Sequence, residues 1–431
     1  MIGQPEVTFD DNCCTVLWQE EGVGFAFESL QERRDGLHAD LEVQAIVPGR
    51  EKPGHIHWAR LNLASTSGRE GLLKACFKKT SDDGGKTSRY DWEDLIEYAC
   101  TITAKKFREG EPIINLAELP RPDKFGYLVE KIMPKGQTSA IFSRGASGKS
   151  LLAMAIAMAV SEGYNLPSGL KVTSTEKVLY LDYETDAEEQ RLRLDYLWKA
   201  RKGSALPNIF YRRQLRALAD DIAFIKAEVK RLNIGLVVVD SIAYAMAGKA
   251  MDPEVAIQTF NALRSLGPAV TRLVIAHIPK ADKEQKESSI FGSVFQENAA
   301  RSIWEMRSTE MQDGIAIGLF LRKKNWGKGF DPIGLRFTFD DLNEAVMLHH
   351  FVIADDPELA SHSTLTFRLV SALRSGSKSE RELTDETGGT SETIRRTLTR
   401  LEARGEIVRI GTNGTSRGSD RTWGLAYEER F

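Results

Sequence analysis

The stretch from Ser143 to Ser150 has the residue types and spacing of a phosphate-binding loop. In a Walker A loop, backbone N–H groups and the positive end of the following helix hold the phosphates. The lysine, here Lys149, reaches the β- and γ-phosphates, and the hydroxyl of Ser150 ligates Mg²⁺. The loop therefore predicts that the chain binds ATP with Mg²⁺. The residues predicted to surround the nucleotide are Ser143, Arg144, Gly145, Ala146, Ser147, Gly148, Lys149, Ser150 and Leu151.

One residue of this loop departs from the usual pattern, because Ser143 occupies the position of the first glycine. Serine is small but gives the backbone less conformational freedom than glycine. The alternative interpretation is a chance glycine-rich turn in front of a helix. An apolar strand before the loop, an apolar helix from Leu151 after it and a later aspartate together favour the phosphate site.

Polar side chains end three further apolar runs of the sequence. Asp240 ends one of them, where a carboxylate is needed beside the bound metal ion. Asp182 and Glu184 end another, and Glu184 is the candidate that orients or deprotonates the attacking water. Alternatively, these two acids only cap the helix predicted from about residue 186. His277 ends the last run and could sense the γ-phosphate, although a lone histidine is more often structural.

The apolar runs that carry these residues are typical of parallel strands covered by helices on both faces. Amphipathic helical segments lie between them, which predicts an α/β fold with a doubly wound, mostly parallel sheet. The predicted strands are Thr138–Phe142, Val178–Asp182, Leu236–Asp240 and Leu273–His277.

The remaining segments predict two smaller domains and a linker. Alternating apolar and polar residues between Leu37 and Val47 predict a half-exposed strand, and Asp91 precedes a helix-like apolar spacing. We therefore expect a small N-terminal α+β domain, to which no motif assigns a role. The predicted boundaries are 1–110 for this domain, 111–125 for a proline-containing linker, 126–354 for the ATPase core and 363–431 for a C-terminal domain.

Composition limits the class of protein. The chain has 431 residues, 42% of them hydrophobic, and a net charge of −3, so a polycation of the histone type is excluded. No apolar run has the roughly 20 residues of a membrane helix, so we expect no membrane partner. The start of the chain has no signal-peptide pattern and the four cysteines have no CxxC spacing, which together indicate buried free thiols and a cytoplasmic location.

The last 70 or so residues predict three short helices and a glycine-rich hairpin, a pattern that resembles a winged helix-turn-helix domain. Ile394, Leu398 and Leu401 lie on one face of the third helix. Arginines on the opposite face of this helix and on the hairpin are predicted to contact DNA. The candidates are Arg395, Arg396 and Arg400 on the helix, and Arg417 and Arg421 on the hairpin. The alternative is a winged helix that contacts protein, with a solvated arginine face.

The order of these motifs resembles that of the RecA-like ATPases, and within them the hexameric helicases typified by plasmid RepA proteins. The resemblance covers about residues 126–353 and implies a RecA-like fold, a homo-hexameric ring and ATP-driven movement on single-stranded DNA. It also implies that Glu184 activates water and that His277 is the polar residue after the later strand. The segments Gly292-Ser293 and Asn298–Arg301 are similar to a segment that these proteins carry.

Two further features take their interpretation from this resemblance. Many relatives have Lys-Asn-Arg where this chain has Lys324-Asn325-Trp326, so the basic residue that reaches into a neighbouring subunit would instead be Arg322, Lys323 or Lys324. The loop Pro279–Ile290 lies where the family lines its channel, with Lys280 and Lys283 as candidate DNA contacts. The alternative is a solvated loop whose mixed charges cancel.

Three functions share every motif described above. The first is a DNA helicase or translocase for replication of a plasmid, phage or mobile element, which the resemblance favours. The second is an ATP-gated DNA-binding regulator or loader, in which hydrolysis only resets a switch. The third is a RecA-like recombination mediator, which would form filaments.

Overall fold

The computed structural model describes two compact units, Met1–Asp123 and Lys124–Phe431. Among the described residues, no helix combines the length and the apolar character that crossing a bilayer requires. The residues described are 3–10, 13–82, 87–110, 113–121, 126–145, 147–201, 206–247, 252–277, 299–325, 327, 329–410 and 421–426.

The first unit is an antiparallel sheet of five strands in the order β1-β2-β3-β4-β5, with two helices packed into the same core. As predicted, a strand covers most of residues 37–47, and a helix begins at Trp92 with Asp91 as its N-cap. The elements are β1 (Glu6–Asp10), β2 (Cys13–Trp18), β3 (Val23–Arg33), β4 (Gly36–Ala45), β5 (Gly54–Asn62), α1 (Thr66–Thr80), β6 (Ser81–Asp82), β7 (Thr87–Ser88) and α2 (Trp92–Glu109).

The cysteines all lie in this unit and are free thiols. Cys14, Cys76 and Cys100 are buried, and burial raises the pKa of Cys76 and of Cys100 to about 12. The prediction of buried thiols was wrong for Cys13, which is exposed. Successive residues of a strand point to opposite faces, so Cys13 and Cys14 at the start of β2 cannot both face the core.

The second unit contains a sheet of nine strands in the order β12-β11-β13-β14-β10-β15-β16-β17-β18. The first six are parallel and the last three are antiparallel. Its strands and helices are β8 (Tyr127–Val129), β9 (Met133–Pro134), β10 (Thr138–Ser143), α3 (Lys149–Glu162), β11 (Lys177–Asp182), α4 (Ala187–Lys199), β12 (Ile209–Arg213), α5 (Leu218–Leu232), β13 (Ile234–Asp240), α6 (Ile242–Ala245), α7 (Pro253–Arg264), β14 (Thr271–His277), β15 (Ser302–Met311), β16 (Gly314–Lys324), β17 (Ile333–Asp340) and β18 (Ala345–His350).

The two faces of the parallel strands belong to separate apolar clusters, one with α3 and α4 and the other with α5, α6 and α7. All residues of β10 and β13 are buried. Strands covered on both faces need apolar side chains at every position, which explains why they were predicted from unbroken apolar runs. The doubly wound, mostly parallel sheet was predicted correctly.

Within the described part of the chain, four short helices and three short strands follow this sheet. They are α8 (Pro357–Ser361), α9 (Leu365–Arg374), β19 (Lys378–Ser379), α10 (Glu380–Thr387), α11 (Ser391–Ala403), β20 (Ile407–Ile410) and β21 (Thr422–Leu425), with a 3₁₀ turn at Ile353–Asp355 before them. Leu369, Leu383, Leu398 and Trp423 belong to a core that α9, α10, α11, β20 and β21 share, whereas Leu359 of α8 packs with Ala316 and Phe320 of β16. Thr390 caps α11, as the sequence predicted.

Candidate nucleotide-binding site

The pairing of the parallel strands brings the predicted chemical residues to one edge of the sheet. Ser143 at the end of β10 pairs with His277 at the end of β14. On the other side of β14, Ile275 pairs with Asp240, and Asp240 pairs with Asp182 of β11. Ligands of open α/β sheets bind at the carboxyl ends of the strands, so this edge is the expected place for a nucleotide.

The phosphate-binding loop joins β10 to α3 at this edge. Gly148 has the left-handed backbone conformation, with φ of 84°, which favours glycine there. Ser143 ends a strand and is not among the residues with positive φ, so the usual glycine is not required at this position. This explains why the backbone tolerates the departure from the Walker A pattern. Ala146 lies outside the described residues.

The ammonium group of Lys149 is buried, with 4% of the residue exposed. It donates to the carbonyl of Arg144 at 2.7 Å and to the hydroxyl of Ser143 at 2.9 Å, and it lies 3.5 Å from the hydroxyl of Ser147. Burial lowers the pKa of Lys149 to about 8, although the carboxylates of Asp240 and Glu184 oppose this shift. The loop thus presents a positive charge where phosphates would enter.

Asp240 and Ser150 are the residues predicted to hold the metal ion. Oδ2 of Asp240 accepts a hydrogen bond of 2.7 Å from the hydroxyl of Tyr180. Oδ1 is buried and has no hydrogen-bond partner among the described residues. Burial raises the pKa of Asp240, while the hydroxyls of Tyr180 and Ser150 lower it. An unpartnered carboxylate oxygen near a serine hydroxyl fits the oxygen ligands that Mg²⁺ prefers.

Glu184 and His277, the two residues predicted to take part in hydrolysis, contact each other. Nε2 of His277 lies 2.8 Å from Oε1 of Glu184, and because an ionised carboxylate can only accept, the imidazole donates. This hydrogen bond holds the pKa of Glu184 below its usual range, against the opposing effect of burial. Glu184 is therefore an ionised candidate base, oriented by a histidine from β14, which is separated from β11 in the sheet by β13.

Asp182 has a different task from Glu184. Its Oδ1 accepts the backbone N–H groups of Glu184 and Thr185 at 2.9 and 3.0 Å. Its Oδ2 accepts the hydroxyl of Thr185 at 2.6 Å and the amide of Gln190 at 2.9 Å. These bonds leave no side of the carboxylate open for water, so Asp182 shapes the turn that carries Glu184. The cap of α4 is Asp186, so capping does not occupy Glu184.

The three basic residues predicted to reach a neighbouring subunit lie at the end of β16. Nε of Arg322 donates to Oε2 of Glu305 in the same chain at 2.7 Å. The ammonium group of Lys324 lies 3.6 Å from the centroid of the Phe330 ring. Lys323 is half-buried and pairs with Ile303 of β15. Arg322 would have to leave Glu305 before it could reach another subunit.

Sequence reasoning missed two groups of residues. One is Tyr180, which is fully buried and holds Asp240; a tyrosine in an apolar strand was a usable signal, because a buried phenol needs a hydrogen-bond partner. The other is the buried Glu305, which pairs with Arg322 and also with Arg307 at 2.5 Å. No local pattern marks this second group, since strand pairing alone brings it together.

Three of the predicted DNA-binding arginines lie on exposed positions of α11, but two of these already have acidic partners. Arg395 is 3.0 Å from the buried carboxylate of Glu380, and Arg396 is 3.0 Å from the exposed Glu392. Arg400 donates to the hydroxyl of Thr366 at 3.4 Å. Arg421 is exposed and directly precedes β21. Lys280, Lys283, Arg417, Trp326 and the segment Gly292–Asn298 lie outside the described residues.

Comparison with known proteins supports the nucleotide site. Residues 112–283 match a protein family described as an AAA domain. No curated protein sequence matches the chain. A KaiC-like protein from the hyperthermophilic archaeon Pyrococcus horikoshii is similar in structure, with 18% sequence identity, coverage of 53% of this chain and 98% of that chain, and a TM-score of 0.36. The family match and the geometry of the site together support a P-loop ATPase domain in the second unit.

We expect Glu184→Gln to bind ATP with Mg²⁺ but to hydrolyse it about 10²- to 10⁴-fold more slowly, because the amide cannot take a proton from water. Phosphate release and nucleotide retention after gel filtration measure the two properties. Asp182→Asn is the matched control, and because it weakens a buried hydrogen-bonded turn, it should mainly lower the melting temperature. If Asp182→Asn retained ATP and Glu184→Gln turned it over normally, the base would be wrongly assigned.

Proposed function

We propose that this protein is an ATP-driven motor that acts on DNA, as a RepA-like hexameric helicase or translocase. The observation that carries the proposal is the common edge at which Lys149, Asp240 and the Glu184–His277 pair meet. Such an edge provides a cation for the phosphates, an acid for a metal ion and a base for water. These are the parts that hydrolysis of a nucleoside triphosphate requires.

In this proposal each residue has a defined task in hydrolysis. Lys149 binds the β- and γ-phosphates, and Ser150 and Asp240 would hold Mg²⁺, which when bound neutralises charge on the phosphates. Glu184 orients the attacking water and accepts its proton, while His277 keeps Glu184 in place. Tyr180 fixes one oxygen of Asp240 and leaves the other for the metal.

The DNA part of the proposal rests on the C-terminal elements. Helices α9, α10 and α11 share one core with β20 and β21, which is the order of a winged helix-turn-helix domain. The buried stripe of α11 turns Arg396 and Arg400 to the surface. Exposed arginines on the third helix suit phosphate oxygens and guanine edges of duplex DNA.

Strand pairing and side-chain contacts along β15 support coupling between the ATP edge and these C-terminal helices. Glu305 pairs with Phe142, which directly precedes the phosphate-binding loop. Its partner Arg307 also lies 3.1 Å from Nε2 of His362, three residues before α9 begins. A shift of β15 on nucleotide binding would therefore move the entry to the C-terminal helices.

The same coupling supports a second candidate, an ATP-gated DNA-binding regulator or loader. In that case the Arg307–His362 contact would transmit the nucleotide state to α11 without movement along DNA. The existing acidic partners of Arg395 and Arg396 favour modest, switchable affinity for duplex DNA. The motor and the regulator differ in their response to single-stranded DNA.

We expect single-stranded DNA to raise the steady-state rate of ATP hydrolysis and ATP to promote ring-shaped particles, because a translocating ring closes its sites between subunits around the strand. Phosphate release with and without a homopolymeric single strand, and electron microscopy of the ATP-bound protein, measure these properties. A monomeric particle whose full rate is independent of both DNA and protein concentration would contradict the motor and favour the regulator.

We expect Arg396→Ala and Arg400→Ala in the full chain to weaken duplex binding, each reducing the salt dependence of the affinity by about one phosphate contact. Gel-shift titrations at several salt concentrations measure this slope. Arg264→Ala, an exposed arginine at the end of α7, is the control and should leave binding unchanged. Arg395→Ala is avoided because it would leave the buried Glu380 without its partner. If Arg396→Ala and Arg400→Ala bound duplex DNA as tightly as the wild type and the Arg264→Ala control, α11 would not be part of the DNA interface.

A further inference from the structure

The hydroxyl of Ser143, at the position where a phosphate-binding loop usually has glycine, forms a hydrogen bond with the catalytic lysine. We propose that Ser143 is a positioning residue, whose side chain aims the Lys149 ammonium group at the γ-phosphate and so sets the preference of the site for ATP over ADP. This inference rests on the ATPase assignment and is independent of any action on DNA.

The ammonium group of Lys149 divides its N–H donors among three acceptors of the loop. An ammonium group has three N–H donors. One reaches the carbonyl of Arg144 at 2.7 Å and a second reaches the hydroxyl of Ser143 at 2.9 Å. The remaining contact, to Ser147, is long at 3.5 Å and is the weakest of the three. Two short bonds therefore fix the group while one donor stays available for a phosphate oxygen.

Burial makes the Ser143 hydroxyl a defined partner. Only 1% of Ser143 and 6% of Ser147 are exposed, so water cannot easily replace a missing acceptor. The hydroxyl of Ser143 also contacts the hydroxyl of Ser147 and lies 2.8 Å from the carbonyl of Arg144. These neighbours hold its orientation toward Lys149. A glycine at this position would leave one donor of a buried cation without a close acceptor.

The position of Ser143 in the sheet determines which phosphate the Lys149 ammonium group is drawn toward. Ser143 pairs with His277 across the two strands, and His277 donates to the catalytic base Glu184. The γ-phosphate must lie beside Glu184 for its water to attack. A lysine anchored at Ser143 is therefore drawn toward the γ-phosphate end of the site, so loss of the anchor should affect the triphosphate more than the diphosphate.

The test compares the affinities of the full-length protein for ADP and for a non-hydrolysable ATP analogue by titration calorimetry with Mg²⁺. We expect Ser143→Ala and Ser143→Gly to weaken binding of the ATP analogue about tenfold, as for loss of one hydrogen bond to a charged group, and to leave ADP affinity nearly unchanged. Ser147→Ala, which removes the longer contact, should have a smaller effect in the same direction.

Ser139→Ala is the matched control. Ser139 lies on the same strand, is 1% exposed, and its hydroxyl has no hydrogen-bond partner among the described residues. The control should leave both affinities unchanged, and thermal melting checks that every variant folds. Equal losses for ADP and the ATP analogue, or unchanged or tighter binding of the analogue, would overturn the inference. A wild-type protein that binds neither nucleotide would overturn the ATPase assignment itself.

Discussion

Parallel hydrogen bonding between β10, β14, β13 and β11 is the constraint on which the rest of the site depends. It places the carboxyl ends of four strands at one edge, although Ser143 and His277 are far apart in the sequence. A one-residue slip in any pair would turn the terminal side chain to the opposite face of the sheet. The apolar covering on both faces stabilises this alignment, because it excludes water from the strands between the helices.

The sequence was sufficient for local features and insufficient for contacts between distant residues. Unbroken apolar runs identified the buried strands, and glycine spacing identified the loop at Lys149. Strand order, the Tyr180–Asp240 hydrogen bond and the Glu305–Arg322 pair depend on which strands become neighbours, which no local pattern records. Arg322 is an example. The sequence suggested a basic side chain free to reach another subunit, but the pairing of β15 with β16 places it in an ion pair with Glu305.

Helix α11 also shows the difference between local features, which the sequence predicts, and contacts between distant residues, which it does not. The spacing of its apolar residues placed the arginines on the outer face, and the structure agrees. The engagement of Arg395 with a buried carboxylate arises from the packing of α11 against α10. A buried Glu380 without that arginine would be costly, so Arg395 contributes to folding as well as to surface charge. Arg396 and Arg400 are the cleaner candidates for nucleic-acid contact.

The central claim is that Lys149 supplies the charge that hydrolysis requires at this edge of the sheet. Phosphate release at saturating ATP and Mg²⁺, compared between the wild type and Lys149→Ala, tests it most directly. We expect hydrolysis by the wild type and almost none by the variant, because the developing charge on the phosphates loses its main cation. Near-normal turnover by a folded Lys149→Ala protein would contradict the account.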